Sequence, residues 1–148
     1  MTSTGGSAGF YLDLLLEMGE VVAYFWPISV GVFVIGVFAL IVRSAHQDSP
    51  FRGRVRLLAV PYAFPPLVLL LGTVFRYNGP PHPNWREPPA WHGWLLFAPL
   101  VLHAVWWITA SVRMKGSRLR SAAILLPSVW LTLCAFLLAG FAVSGVGL

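Results

Sequence analysis

Charge is what this chain has least of. Asp, Glu, Lys and Arg together make up 10% of its 148 residues, and only five are acidic. A soluble domain carries about 25% charged residues, because water must solvate its surface. So sparse a set leaves most of the surface apolar, which suits lipid and excludes an ordinary water-soluble globule. Cysteine is nearly absent as well. Cys134 stands alone inside an apolar run, so no disulfide forms within the chain. No Ser/His/Asp set, Cys-x-x-Cys pair or glycine-rich phosphate loop occurs, which removes the usual hydrolytic, dithiol and nucleotide-phosphate chemistries.

What is present in quantity is apolar sequence, 57% of the chain. Crossing a hydrocarbon core of about 30 Å takes roughly 20 helical residues, and four runs approach that length. They cover residues 21–42, 57–75, 91–112 and 121–146. The expected fold is therefore an all-α integral membrane protein, one domain of four transmembrane helices over residues 21–148. None of the four runs contains Asp, Glu, Lys or Arg between its ends. Ion-coupled transporters and proton pumps use such groups along their pathways, so a small transporter or channel ranks behind other readings.

Eight of the ten basic residues fall in two short stretches between runs. They are Arg43, Arg52, Arg54 and Arg56 in one, and Arg113, Lys115, Arg118 and Arg120 in the other. The net charge of +5 is thus a topology signal rather than a nucleic-acid footprint. Basic loops stay in the cytoplasm, which places both termini outside. Arg outnumbers Lys nine to one, a bias that accompanies GC-rich bacterial genomes, so the expected location is a bacterial cytoplasmic membrane. The first apolar run has no basic leader before it and no clear cleavage site, and is expected to be retained as a span.

Ahead of the first span, residues 1–9 are small and polar and predict a disordered tail. From Phe10 to Glu20 the pattern is amphipathic, with Asp13, Glu17 and Glu20 on one helical face. A short interfacial helix is expected over this stretch. Its acidic face reads most simply as solvated, and alternatively as a dock for a basic partner surface. Tyr24, Phe25 and Trp26 form an aromatic belt at the start of span 1. Pro61, Pro65 and Pro66 in span 2 predict a kinked or late-starting helix, because each removes a backbone donor. Five prolines between Pro80 and Pro89 forbid regular helix and favour a stiff extended outer loop. That loop bears Trp85, with Trp91 at its far end.

Two hairpins share a pattern. Pro61, Leu67 and Phe75 recur as Pro127, Leu133 and Phe141 at an offset of 66, which suggests a parallel duplication. Positive-inside charge followed by an early proline also yields it by coincidence.

The residue with the most chemical potential is His103, about 16 Å into span 3 at about 1.5 Å per residue. A polar group at that depth must face protein, a cofactor or a cavity. It suits an axial ligand to haem iron or chlorin magnesium, with Trp106 and Trp107 flanking the ring. The plainer reading is an interhelical hydrogen bond, to Thr73, Thr109, Ser128 or Thr132. His82, Glu87 and His92 recur every five residues in the outer loop, a spacing that matches no standard zinc pattern. No metal site is expected. Small residues at Ala135/Ala139 and Gly140/Ser144 on span 4, and at Gly31, Gly36 and Ala39 on span 1, permit close helix approach.

The combination favours a non-catalytic subunit of a larger membrane complex, respiratory or photosynthetic in character. It would act through helix packing and outer-loop docking, with Asp13, Glu17, Glu20, Trp85, Trp91, Gly140 and Ser144 as contact residues. Other membrane subunits and lipids are the expected partners, and lipid, quinone or pigment would fill gaps between helices. A haem- or chlorin-binding protein built on His103 is the alternative.

Overall fold

The computed structural model describes residues 7–44, 58–75, 90–113 and 118–144. All the described residues are helical except Phe25 and Phe75, which are turns, and there is no strand among them. Helix α1 covers Ser7–Tyr24 and α2 covers Trp26–Ser44. A single 3-10 turn at Val60–Ala63 leads into α3, Phe64–Val74. Helix α4 covers Ala90–Arg113 and α5 covers Arg118–Ser144. Residues 45–57, the proline-rich segment 76–89 with His82, Trp85 and Glu87, and residues 1–6 lie outside the described residues.

Two stretches, Trp91–Arg113 and Ser121–Ser144, are long and apolar enough to cross a membrane. A third is reached if α1 and α2 count as one broken span, for they meet at 92°. The helix boundary therefore falls at Phe25 and not at residue 21 as the hydropathy pattern suggested. Pro27 explains the shift. It has no N–H to give the Ala23 carbonyl, and its ring crowds that oxygen, but near a helix start neither matters. So one helix stops before the proline and the next begins around it. Residues 21–24 extend the amphipathic helix, and the aromatic belt sits at the elbow.

Prolines also shape the start of α3. Pro61 lies in the tighter 3-10 turn, and Pro65 falls in the opening of α3. These are positions where a missing donor is tolerated. The apolar stretch from Val60 to Val74 is consequently short of a full-length crossing helix.

Two apolar clusters reveal how the helices run. One joins Ala39 of α2, Leu58, Ala110 of α4, and Ile124 and Leu125 of α5. The other joins Leu14 of α1, Val68 and Leu69 of α3, Leu96 of α4, and Ala135 to Val143 of α5. The late part of α2 and of α4 thus share an end with the early part of α5, and Leu96 shares the opposite end with the late part of α5. Helices α2 to α5 alternate in direction around α5, the longest. Leu14 is fully buried and packs with Leu96, so α1 is docked at the end of α4 opposite Arg113.

The two hairpins do not pack alike. Helix α4 lies along α5, whereas α2 also lies along α5 and makes at most marginal contact with α3. The offset of 66 residues is therefore not matched by equivalent helix pairing.

The candidate functional site

His103 is the polar centre of the bundle, 3% exposed. Its Nδ1 lies 2.8 Å from Thr132 Oγ1 and its Nε2 3.2 Å from Ser128 Oγ. Thr132 and Ser128 are one helical turn apart on α5 and bracket its midpoint, so a single imidazole bridges both hydroxyls. Of the four partners the sequence offered, these two are the ones used. Thr73 instead donates to the Leu69 carbonyl of its own helix at 2.9 Å, and Thr109 points outward.

The hydroxyls carry second roles. Ser128 Oγ is 2.7 Å from the Leu125 carbonyl and Thr132 Oγ1 is 2.7 Å from the Ser128 carbonyl. Each hydroxyl has one proton, and a neutral imidazole has one N–H and one lone pair. The ring donates to one hydroxyl, which passes its own proton to a backbone carbonyl. The other hydroxyl turns its proton toward the bare ring nitrogen. Two such arrangements exist, one for each tautomer.

The ring face is also covered. Phe64, first residue of α3, stacks on it with centroids 5.0 Å apart and planes 23° apart. His103 therefore ties α4 to α5 by its nitrogens and to α3 by its face. An axial ligand offers a metal one free nitrogen lone pair. Here each nitrogen already faces a hydroxyl, so ligation of haem or chlorin requires giving up one of these bonds. Trp106 and Trp107, one turn from His103, are half-buried and pack against the cluster at the basic end.

Sequence reading missed a second polar contact. Ser29 of α2 donates to the Val22 carbonyl at 2.7 Å, across the 92° elbow. That carbonyl belongs to the last turn of α1. Trp130 of α5 donates its indole N–H to Ser29 Oγ at 3.0 Å, and its ring meets Phe25 edge-on at 6.1 Å. One hydroxyl thus holds the elbow and fastens it to α5. Tyr62 adds a further tie, donating to the Ile124 carbonyl at 2.6 Å. The elbow itself was not foreseen, because the Trp130 that fastens it lies 101 residues from Ser29.

The proposed contact residues separate into groups. Asp13 and Glu20 are exposed on α1, while Glu17 is half-buried, with Oε2 shielded and unpartnered. Burial raises the Glu17 carboxyl above its ordinary range, and the neighbouring Asp13 and Glu20 charges raise it further. Trp91 is about half exposed and packs edge-on against Phe75 at 5.6 Å and His92 at 4.0 Å. Trp85 lies outside the described residues. The small-residue pairs of α5 face opposite ways. Ala135 and Ala139 are fully buried within the bundle, whereas a side chain at Gly140 would meet open space. Ser144 Oγ donates to the Phe141 carbonyl at 3.1 Å. Among the described residues no group of three or more His, Cys, Asp and Glu side chains is placed to hold a metal ion.

Comparison with protein families, curated proteins and solved structures finds no match to this chain.

Proposed function

We propose that the protein is a four-span, non-catalytic subunit of a larger membrane complex, acting by helix packing. The observation that carries this reading is the way α2 is held. Its buried positions are Ser29, Gly36 and Ala39, a single stripe against α5. Most of its remaining described surface is apolar and exposed, with Val30, Val34, Phe38 and Ile41 each at least half exposed. Together with the open notch above Gly140, this leaves broad faces suited to other helices. The hydrogen bonds of His103 and Ser29, by contrast, are spent on the bundle's own cohesion.

The reading has α2 and the α3 segment crossing along with α4 and α5. At about 1.5 Å per residue, the 19 residues of α2 reach about 28 Å, close to the hydrocarbon thickness. Both basic loops then face the cytoplasm of a bacterial cell, and α1 lies along the outer surface. Its three faces support that position: Leu14 turns inward, Leu12 and Leu16 are exposed and apolar, and Asp13 and Glu20 are exposed and charged. An energy-transducing complex, respiratory or photosynthetic, is the kind of assembly envisaged, on the richness of apolar and aromatic contact surface.

Mild detergent extraction followed by a native gel tests the subunit role. The chain should co-migrate with larger partners, and Gly140→Leu should release it while leaving its own melting unchanged, because none of the described residues lies within 4 Å of a Cβ placed there. Recovery of the wild-type chain solely as a free monomer would sink the idea. A reporter fused after Val112 that proves to be extracytoplasmic would sink the orientation.

A further inference from the structure

Although α1 and α2 meet at 92°, the elbow keeps helical hydrogen bonds on both sides of its turn. The Phe25 N–H donates to the Val21 carbonyl at 3.1 Å, and the Ser29 N–H to the Phe25 carbonyl at 3.0 Å. The bond that changes hands is at Val22. In a continuous helix its carbonyl accepts from the N–H four residues on, that of Trp26. Here it accepts from Ser29 Oγ at 2.7 Å, and Trp130 of α5 latches that oxygen at 3.0 Å. A straight form would leave the Ala23 carbonyl crowded by the Pro27 ring and without a donor, a defect that membrane helices tolerate.

The docking of α1 contains an opposing element. Among its described residues only Leu14 is buried, and with it α1 covers the seam of Val68 and Leu69 of α3 against Leu138 and Ala139 of α5. Beside it, Glu17 Oε2 is shielded and has no donor, so an ionised carboxylate there has lost water without gaining a partner. Its charged neighbours are Asp13 and Glu20, which repel it. The helices packed on α1 bring no cation to this level among the described residues. Arg43 of α2 and Arg118 and Arg120 of α5 belong to the helix ends away from α1. The titratable residue of the α3 segment, Tyr62, donates to the Ile124 carbonyl, and Cys134 of α5 is a buried thiol. On α4, His92 rests against Phe75 and His103 is bonded to Ser128 and Thr132.

We infer that α1 is a hinged strap over the seam of α3 and α5. It swings out about Phe25 when Glu17 is ionised, as Ser29 Oγ returns the Val22 carbonyl to the Trp26 N–H. It closes again when Glu17 is protonated. Because the docked form holds that proton more tightly, the open share grows as pH rises through the raised value of the Glu17 carboxyl. The device does not rest on the subunit role, since strap, hinge and latch all belong to this chain.

Spin labels on Leu12→Cys and Trp94→Cys, both exposed positions, report the motion. They are placed in the full chain with Cys134→Ala, reconstituted in lipid nanodiscs, and their separation is measured by pulsed electron resonance. Two separations should be present at pH 8, and the longer one should fall severalfold at pH 4.5. Ser29→Ala, which removes the latch, should enrich the longer separation at both pH values. Glu17→Gln should hold it at pH 8 near the level that the parent shows at pH 4.5. One short separation at both pH values, in the parent and in Ser29→Ala alike, would overturn the inference. So would a longer separation that grows on acidification, or one whose pH response survives Glu17→Gln.

Discussion

Gly72 and Ala139 approach so closely that no side chain fits between them. A Cβ built on Gly72 would lie 2.7 Å from Ala139 Cβ and 2.8 Å from its Cα. Within lipid, burying apolar surface yields no hydrophobic gain, so helices adhere by close packing and hydrogen bonds. The contact of α3 with α5 at this point is therefore part of what holds α3. Gly72→Ala should force the helices apart at a cost of about 1–3 kcal/mol, as overpacking does elsewhere. A lowered unfolding midpoint in detergent would show it, and Gly31→Ala, which meets open space, should leave the midpoint alone.

Gly36 makes the corresponding contact between α2 and α5. Its Cβ would fall 2.8 Å from Pro127 Cγ and 3.2 Å from Cδ, and a proline ring has little freedom to yield. Gly36→Ala should loosen α2, seen as faster proteolysis at the α2 end of the 45–57 loop. Unaltered cleavage would mean that α2 is fixed mainly by the elbow.

At His103 the expected losses are modest and shared. Thr132→Val and Ser128→Ala should each lower stability by about 0.6 kcal/mol, the usual worth of a hydrogen bond between membrane helices. Because both hydroxyls serve one ring, combining either with His103→Leu should cost less than the sum. Full additivity in denaturant unfolding would contradict the shared network. A Soret or chlorin band in the purified protein, lost in His103→Ala, would show that a cofactor displaces one of these bonds.

The elbow depends on Ser29. Ser29→Ala removes this partner from the part-buried Trp130 N–H and Val22 carbonyl, at about 1 kcal/mol for each bond lost. Amide exchange over residues 18–24 should quicken markedly. Trp130→Phe keeps the ring against Phe25 and should produce a smaller effect of the same sign.

Glu17 makes the docking of α1 sensitive to pH. Its carboxyl is raised in the folded protein above the ordinary 4.5, so the folded state binds the proton more tightly. Stability from this group is fully present below pH 4.5 and is lost as pH rises through the raised value. Protection of α1 from exchange should therefore increase on acidification from neutrality, and Glu17→Gln should remove that part of the response. A wild-type profile that is flat or opposite in sign would refute the assignment.

Much of the outline was legible in advance because it follows from local chemistry. Pro61 and Pro65 mark a late helix start, since a missing N–H acts wherever the chain places it, whereas the break before Pro27 was not expected, because a proline in the first turn also fits an unbroken span. His103 needed a partner for a similarly local reason. Which hydroxyl it met was not legible, because Thr73, Thr109, Ser128 and Thr132 were equal candidates until the register of α4 against α5 was known. Trp130 carried no signal at all, since an indole in an apolar run reads as packing surface. The matching prolines of the two hairpins pointed to a duplication, yet helix pairing depends on whole faces, and α2 lies on α5 rather than on α3.

From residue order alone came the apolar character of the chain, the delayed start of α3 at its prolines, and the buried imidazole that demands hydrogen bonds. Those are properties of single residues and their nearest neighbours along the backbone. Three-dimensional packing decided that Ala139 faces inward and Gly140 outward, that Ser29 secures the elbow, and that Ser128 and Thr132 close on His103. An apolar helix carries several nearly equivalent stripes at a period of about 3.6, and only contact with other helices selects among them.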